Sequence, residues 1–186
     1  MGKRMFVAID LPEEVRAGLA GLDPRLAGLR WLGASQMHLT LCFLGEVAEE
    51  REGRLIAGLA AIRVARFSLA LKGLGCFARN RQPAVVWAGV AHAAPGLFRL
   101  HQQVGAAVLA AELGADLTAQ EKPFHPHVTV GRCKGVAAAV LQPLLERHEH
   151  SDFGAFEVSG FTLYASILHP HGPEYQSMFH QDLETA

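Results

Sequence analysis

Two short stretches, His38-Leu39-Thr40-Leu41 and His127-Val128-Thr129-Val130, repeat one pattern of histidine, apolar residue, threonine and apolar residue. Side chains at positions i and i+2 of a β-strand lie on the same face. Each stretch therefore predicts a strand with an imidazole and a hydroxyl on one face and two apolar side chains on the other. The chain has ten histidines, so two ordinary half-exposed strands with polar outer faces remain the alternative.

The elements around the two motifs follow the same order in both halves of the chain. A motif strand is followed by an amphipathic helix and then by a strand, over 38–44, 48–62 and 66–75 and again over 127–132, 136–147 and 156–168. Such a duplicated unit with pseudo-twofold symmetry would bring the two motif strands face to face. We therefore expect an α+β fold, with two antiparallel-rich sheets facing a central cleft in one bilobal domain over 1–186.

The remaining segments complete this expectation. Hydrophobic periodicity and turn residues predict strands at 5–10 and 84–90, helices at about 12–22 and 95–113, a hairpin-like loop at 77–83, a polar loop at 114–124 and a short last strand at 175–179. Gly45 is expected to end the first motif strand, and Trp31 and Trp87 are expected in the core.

Composition excludes several classes of protein. The formal net charge of −1 provides no overall basic field for long nucleic acid, although a small anion or an RNA end remains a possible ligand. Cys42, Cys76 and Cys133 are an odd number without close spacing, which argues against a disulfide scaffold and a cysteine zinc site. Since no signal peptide or membrane span is recognisable, a cytoplasmic protein is expected, with a monomer as the default.

Paired histidines suit acid and base catalysis near neutral pH. A neutral imidazole can take a proton from water while a protonated one gives a proton to a leaving oxygen. The hydroxyls of Thr40 and Thr129 can donate hydrogen bonds to phosphate oxygens between the rings. No metal or other cofactor is expected, because the sequence contains no HExxH, CxxC or Walker-type motif.

Five ordered segments carry a family resemblance that extends over nearly the whole chain. They are RMFVAIDLP from Arg4, WLGASQMHLTLCFLGEV from Trp31, GCFARNRQPAVVWAGV from Gly75, FHPHVTVGR from Phe124 and LYASILHPHGPEYQSMF from Leu163. The chain resembles the 2H phosphoesterases, and in particular the RNA 2′,3′-cyclic phosphodiesterases, historically called 2′-5′ RNA ligases.

The resemblance implies two α+β lobes around a cleft and hydrolysis of a 2′,3′-cyclic phosphate at an RNA end to a 2′-phosphomonoester. It implies His38 as the acid that protonates the leaving 3′-oxygen and His127 as the base that activates water, although these roles could be exchanged. Thr40 and Thr129 would hold the phosphate, and Arg132 is either a further phosphate contact or a surface charge. The reverse reaction would form a 2′-5′ bond from a cyclic phosphate end and a 5′-hydroxyl.

Other residues are weaker candidates for contacts with RNA. Arg79 and Arg81, in the expected hairpin loop, would guide phosphates unless they are simply solvated. Phe77 or Tyr175 would stack on the terminal base, with core packing as the alternative for Phe77.

Three alternatives to the cyclic phosphodiesterase remain open. The first is a related enzyme that acts on a small cyclic nucleotide or an ADP-ribose cyclic phosphate. The second is a non-catalytic module that binds RNA ends, which would not need two titrating imidazoles. The third is a metal protein using His169, His171 and His180, whose spacing matches no familiar site.

Overall fold

The computed structural model describes residues 2–91, 94–111, 123–169 and 172–185. In chain order the elements are β1 (Lys3–Asp10), α1 (Glu13–Ala20), β2 (Leu29–Trp31), β3 (His38–Val47), α2 (Glu49–Ala60), β4 (Phe67–Arg79), β5 (Gln82–Val90), α3 (Pro95–Ala110), β6 (His127–Cys133), α4 (Ala138–Arg147), β7 (Asp152–Val158), β8 (Gly160–His169) and β9 (Gly172–Asp182). Within the described residues, no helix is both long and apolar enough to cross a membrane.

All of these strands belong to one sheet with the order β7-β4-β5-β6-β3-β1-β8-β9, and β2 pairs with β6. Each half of the sheet is antiparallel, and the two halves meet where β3 lies beside β6. The two motif strands are thus the inner strands of the two halves. The expected α+β fold with antiparallel halves is confirmed, and the halves are joined edge to edge into one sheet.

The pseudo-twofold repeat begins one strand earlier than the sequence suggested. In each half a strand, a helix and a motif strand come in this order, as β1-α1-β3, with the short β2 between α1 and β3, and as β5-α3-β6. The first strand of each unit pairs antiparallel with its motif strand. The strand after α2, β4, leaves the half of its own motif and pairs with β5 and β7. The repeating unit is therefore strand, helix and motif strand, and the chain passes between the halves.

The helices cover the apolar face of the sheet. Leu39, Leu41, Val128 and Val130 are buried there in one cluster with the apolar side chains of all four described α-helices. His101 of α3 makes a 3.0 Å hydrogen bond with the carbonyl of Leu41, so that α3 lies directly on β3. Because the helices occupy this face, the face of the motif histidines and threonines is left open for a ligand.

Several expected boundaries are wrong, each for a local reason. The first motif strand does not end at Gly45, whose positive φ of 68° lets β3 continue past a bulge to Val47. The expected loop at 77–83 is only a tight turn, because Asn80 and Arg81 both take positive φ, which suits a two-residue hairpin. Residues 156–168 belong to two strands separated at Ser159. The last strand extends well beyond 175–179. Two further predictions lie wholly or partly outside the described residues, namely most of the loop at 114–124 and the end of the helix at 95–113.

Candidate active site

The two motifs meet at the junction of the two sheet halves. Leu39 of β3 lies directly opposite Val128 of β6 in an antiparallel pair, and both side chains are fully buried. Extending this register by one residue sets His38 beside Thr129 and Thr40 beside His127. The four polar side chains share the face opposite the core, with the two histidines on one diagonal and the two threonines on the other.

A β-bulge lies at the last residue of each motif. Leu41 is skipped in the pairing of β3 with β1, and Val130 is skipped in the pairing of β6 with β5. A bulge reverses the alternation of side chains beyond it. The bulges therefore turn Phe43 and Arg132, which would otherwise follow the buried set, toward the face of the histidines. Arg132 was a candidate phosphate contact, and the bulge explains how it comes to line the same cleft as Thr129.

His38 is enclosed by aromatic rings. Phe6 stacks on its imidazole with ring centroids 4.7 Å apart, and Tyr175 meets it edge-on at 5.2 Å. Burial lowers the pKa of His38 to about 4, while the carboxylate of Asp10 and a hydrogen bond to the Gln36 carbonyl act in the opposite direction. This ring is therefore neutral at pH 7.

His127 is held in a similar way on the other side. Its Nδ1–H donates to the carbonyl of His125 at 2.7 Å, which leaves Nε2 as the nitrogen available to a ligand. The ring of Phe77 meets the imidazole edge-on at 4.9 Å. Burial also lowers the pKa of His127. Each motif histidine thus anchors one ring nitrogen on the carbonyl two residues before it, Gln36 for His38 and His125 for His127.

A carboxylate breaks the symmetry between the two histidines. Asp10 of β1 lies directly opposite His38, whereas the corresponding position opposite His127 is Gly89 of β5. Residues directly opposite in a sheet share a face, so the Asp10 carboxylate lies on the side of the imidazole. The two motif histidines therefore have different electrostatic surroundings despite their matching motifs.

A hydrogen-bond network holds the Asp10 carboxylate in place. It accepts bonds from the Tyr164 hydroxyl at 2.6 Å and from the buried hydroxyl of Thr162 at 2.8 Å. Thr162 in turn lies 2.9 Å from Nδ1 of His180. Burial and the bond to Asp10 raise the pKa of Tyr164 to about 12, so this hydroxyl stays protonated as a donor.

A cleft of about 410 Å³ opens over the half of the sheet that carries His38 and extends across the junction to β6. Its lining includes His38, Thr40, Thr129, Arg132 and Tyr175, together with Phe6, Phe43, Gln36 and Ser166. Among the expected site residues, Tyr175 is therefore brought to the cleft. His127 and Phe77 lie beside each other outside this lining, and Arg79 and Arg81 are exposed at the end of the hairpin.

A family model described as the 2′-5′ RNA ligase superfamily matches residues 11–168. The chain belongs to this superfamily. It is 33% identical over 178 residues, 94% of this chain and 97% of its relative, to the "RNA 2′,3′-cyclic phosphodiesterase" of Archaeoglobus fulgidus. The protein of the same name from Thermus thermophilus is 38% identical over 180 residues, 92% of this chain and 86% of its relative. The expected family is thereby confirmed.

A solved structure shares the fold of this superfamily member. The crystal structure of Escherichia coli LigT complexed with 3′-AMP superposes with a TM-score of 0.80 at 32% identity, covering 98% of this chain and 99% of that one. The match extends over both halves of the sheet.

The metal-protein alternative can be compared with the described part of the chain. No cluster of three or more histidine, cysteine, aspartate or glutamate side chains that could hold a metal ion occurs there. His169 instead approaches Glu174 at 3.1 Å and His180 approaches Asp182 at 3.5 Å. His171, the third residue of that alternative, lies outside the described residues.

The sequence did not identify several residues around the two histidines. Asp10 was recognised only as the end of a strand, because nothing in its neighbours reveals that it pairs with His38. Trp87 was expected in the core but contacts His125 with ring centroids 5.2 Å apart and lies across Gly75. The available signal for the position of Trp87 was Gly89, two residues later in the same strand. A small residue on the same face leaves room for the indole ring.

Proposed function

We propose that this chain is an RNA 2′,3′-cyclic phosphodiesterase that opens cyclic phosphates at RNA ends to 2′-phosphomonoesters. The observation that carries the proposal is the diagonal pairing of two histidines and two threonines across the Leu39–Val128 register pair. A phosphate between the strands would have an imidazole on either side of phosphorus. The relatives named RNA 2′,3′-cyclic phosphodiesterase support the same activity.

The reaction requires one side chain that accepts a proton and one that donates a proton. Nε2 of His127 takes a proton from the attacking water, whose oxygen forms a bond to phosphorus. The bond between phosphorus and the 3′-oxygen breaks, and protonated His38 gives its proton to that oxygen. The product carries the phosphate on the 2′-oxygen, and His127 has gained the proton that His38 has lost. Loss of that proton from His127 and protonation of His38 restore the starting state.

Asp10 supports His38 as the acid. Its carboxylate favours the protonated form of His38, and His127 has no carboxylate at the matching position. Burial opposes protonation and outweighs Asp10, so that the pKa of His38 is about 4. A bound phosphodiester adds a negative charge next to the ring and favours its protonated form. We therefore assign proton uptake by His38 to the substrate-bound state.

Thr40 and Thr129 complete the site as donors to the non-bridging phosphate oxygens. Each hydroxyl is the register neighbour of the opposite histidine, which places a donor beside each face of a centrally bound phosphate. Arg132 lines the same cleft and would add positive charge to that side of the phosphate. The site would need no metal ion, and we expect the protein to act as a monomer in the cytoplasm. Reversal of the same steps would join an RNA end that carries a cyclic phosphate to a 5′-hydroxyl end through a 2′-5′ bond.

The first experiment is a product analysis. The protein, in EDTA, is incubated with cytidine 2′,3′-cyclic phosphate and with an RNA oligomer ending in a cyclic phosphate, and the products are compared with 2′- and 3′-phosphate standards. We expect a 2′-phosphate from both substrates, with loss of activity in His38→Ala and His127→Ala. His150→Ala, at an exposed histidine outside the cleft, is the matched control.

The outcome also separates the alternatives. No turnover of either substrate would overturn the proposal and leave two alternatives, a related enzyme that acts on another small metabolite such as an ADP-ribose cyclic phosphate, and a binding module. Turnover of the mononucleotide without the oligomer would favour a small cyclic nucleotide as substrate. A 3′-phosphate product would overturn the assignment of the leaving oxygen, and activity abolished by EDTA would overturn the metal-independent mechanism.

The roles of the two histidines have a separate test. A cyclic phosphorothiolate with sulfur in place of the 3′-oxygen has a leaving group that needs no proton. We expect this substrate to restore turnover in His38→Ala and not in His127→Ala, because water must still lose its proton. Restoration in His127→Ala alone would exchange the two roles.

A further inference from the structure

Two arginines lie directly opposite each other at the edge of the cleft. Arg30 of β2 is the register partner of Arg132 of β6 in an antiparallel pair, and both side chains are exposed. Like charges at directly opposite positions destabilise a sheet. Neither guanidinium has an ion pair or hydrogen bond with a residue in the described part of the chain. An anion bound between the two guanidinium groups would relieve this repulsion.

The pair lies beside the cleft rather than on a remote surface. The bulge at Val130 turns Arg132 toward the cleft, and Arg30 shares its face as its direct partner. Arg30 also reaches the first residue of β9, because a Cβ built on Gly172 would lie 3.2 Å from its Nη2. Both guanidinium groups act electrostatically on the Tyr175 hydroxyl, which lines the cleft. Arg30, Arg132 and Tyr175 therefore border one side of the site.

The chemistry of the pair suits a second phosphate. Guanidinium groups bind phosphate oxygens through paired hydrogen bonds, and two of them match an anion of charge −1 or −2. The reacting cyclic phosphate would already have the two threonines as donors at the junction of β3 and β6. In an RNA end the next phosphate is attached to the 5′-oxygen of the terminal nucleoside, one ribose away. A free nucleoside 2′,3′-cyclic phosphate has no group there.

We propose that Arg30 and Arg132 together form an anion site for the 5′-phosphate of the terminal nucleotide, so that the protein distinguishes an RNA end from a nucleoside cyclic phosphate. This assignment rests on the proposed function. Arg30 is the specific element, since Arg132 also lies near the reacting phosphate. The site explains how a chain of net charge −1 can select RNA ends without a broad basic surface.

The test compares two substrates that differ only in the proposed ligand, adenosine 2′,3′-cyclic phosphate and its 5′-phosphorylated form. We expect kcat/KM of the wild-type protein to be about 10- to 100-fold higher for the 5′-phosphorylated form, mainly through KM, as a charged hydrogen-bonded contact provides. Arg30→Gln should remove this preference and leave turnover of the unphosphorylated substrate within about twofold. Arg51→Gln, at an exposed arginine of α2, should retain the preference.

Thermal unfolding of each variant checks that it is folded. Arg30→Lys is a second variant, which keeps the positive charge without the paired donors, and it should retain part of the preference for the 5′-phosphorylated substrate. Equal kinetics on the two substrates in the wild-type protein, or an equal loss on both in Arg30→Gln, would overturn the anion site and leave the proposed function intact. Turnover of neither substrate by the wild-type protein would overturn the proposed function and this assignment with it.

Discussion

Leu39 lies directly opposite Val128, and this pair both belongs to the core and sets the register of the face that carries the two motif histidines. On the buried side the two side chains join the apolar cluster beneath the helices. On the open side the same register sets each histidine beside the threonine of the other motif. A strand displaced by one residue would exchange the two faces. Fold stability and site geometry therefore depend on the same register.

The two threonines should matter about equally. Thr40→Val and Thr129→Val each remove one hydroxyl donor to the phosphate while nearly keeping side-chain shape. Each should lower kcat/KM for a cyclic phosphate by roughly 10- to 100-fold, the usual cost of a lost hydrogen bond to a charged group. Thr40→Ser and Thr129→Ser, which keep the hydroxyl, should retain most of the activity. A threonine whose valine variant stays fully active would not be a phosphate donor.

Asp10→Asn should reveal the role of His38 through the pH profile. The charged groups that act on His38 are Asp10, which favours its protonation, and Arg132 and His127, which oppose it. Removing the Asp10 charge makes His38 harder to protonate and lowers its pKa further. If His38 is the acid, the basic limb of kcat/KM should move to lower pH. Activity at a fixed pH on that limb should then fall, by about tenfold if the pKa of His38 drops by one.

The opposite assignment predicts a different profile for Asp10→Asn. If His38 were the base, a lower pKa would move the acidic limb instead and leave activity at neutral pH unchanged or higher. Asp182→Asn is the control, because Asp182 contacts His180 at the far end of the network rather than His38. A profile that matches the wild-type protein in both variants would remove Asp10 from the mechanism.

The sequence predicted which side chains meet at the junction better than it predicted their surroundings. Two His-x-Thr motifs determine which groups are available, and strand alternation determines that they share a face, so the placement of His38, Thr40, His127 and Thr129 on one face could be expected in advance. Both properties are local. The pairing of Asp10 with His38 and of Arg30 with Arg132 depends on which strands become neighbours, and one chain without its register does not reveal that.

The bulges explain a second limit of the sequence pattern. Strict alternation from His127 would put Arg132 with the buried residues, and strict alternation from His38 would do the same for Phe43. The bulges at Leu41 and Val130 reverse this expectation in both halves. An extra residue in a strand has no reliable sequence signal, so the two side chains that border the cleft beyond the motifs could be placed only from the structure.

Acid should destabilise the fold through His38. Its pKa is about 4 in the folded protein and 6.5 in its ordinary state, so the unfolded chain binds a proton in that window that the folded protein does not. Stability is therefore lost as the pH falls from about 6.5 to about 4, by roughly 2–3 kcal/mol from this residue. His127, whose pKa is also lowered, contributes with the same sign.

Urea unfolding at several pH values across this window measures the effect. His38→Gln replaces the imidazole with a side chain that does not titrate, so its free energy of unfolding should fall less steeply toward acid than that of the wild-type protein. His150→Gln, at an exposed histidine, should follow the wild-type slope. Parallel slopes for the His38→Gln variant and the wild-type protein would contradict the lowered pKa of His38.

Gly75→Ala should damage the site without touching either motif. A Cβ at Gly75 would overlap the ring of Trp87, so the indole must move. Trp87 packs on Phe77 with ring centroids 5.3 Å apart, and Phe77 meets His127 at 4.9 Å, so a displaced indole disturbs the aromatic support of the imidazole. We expect a loss of stability of about 1–3 kcal/mol and a lower kcat.

Gly53→Ala is the matched control for that substitution. Gly53 lies inside α2, where an added Cβ meets nothing within 4 Å, so alanine should stabilise the helix by roughly 0.5–1 kcal/mol and leave kcat unchanged. Thermal unfolding and kcat on a nucleoside cyclic phosphate distinguish the two variants. A Gly75→Ala protein that loses stability but keeps its full kcat would mean that Trp87 supports the sheet rather than His127, because the imidazole would then hold its position through the His125 carbonyl alone.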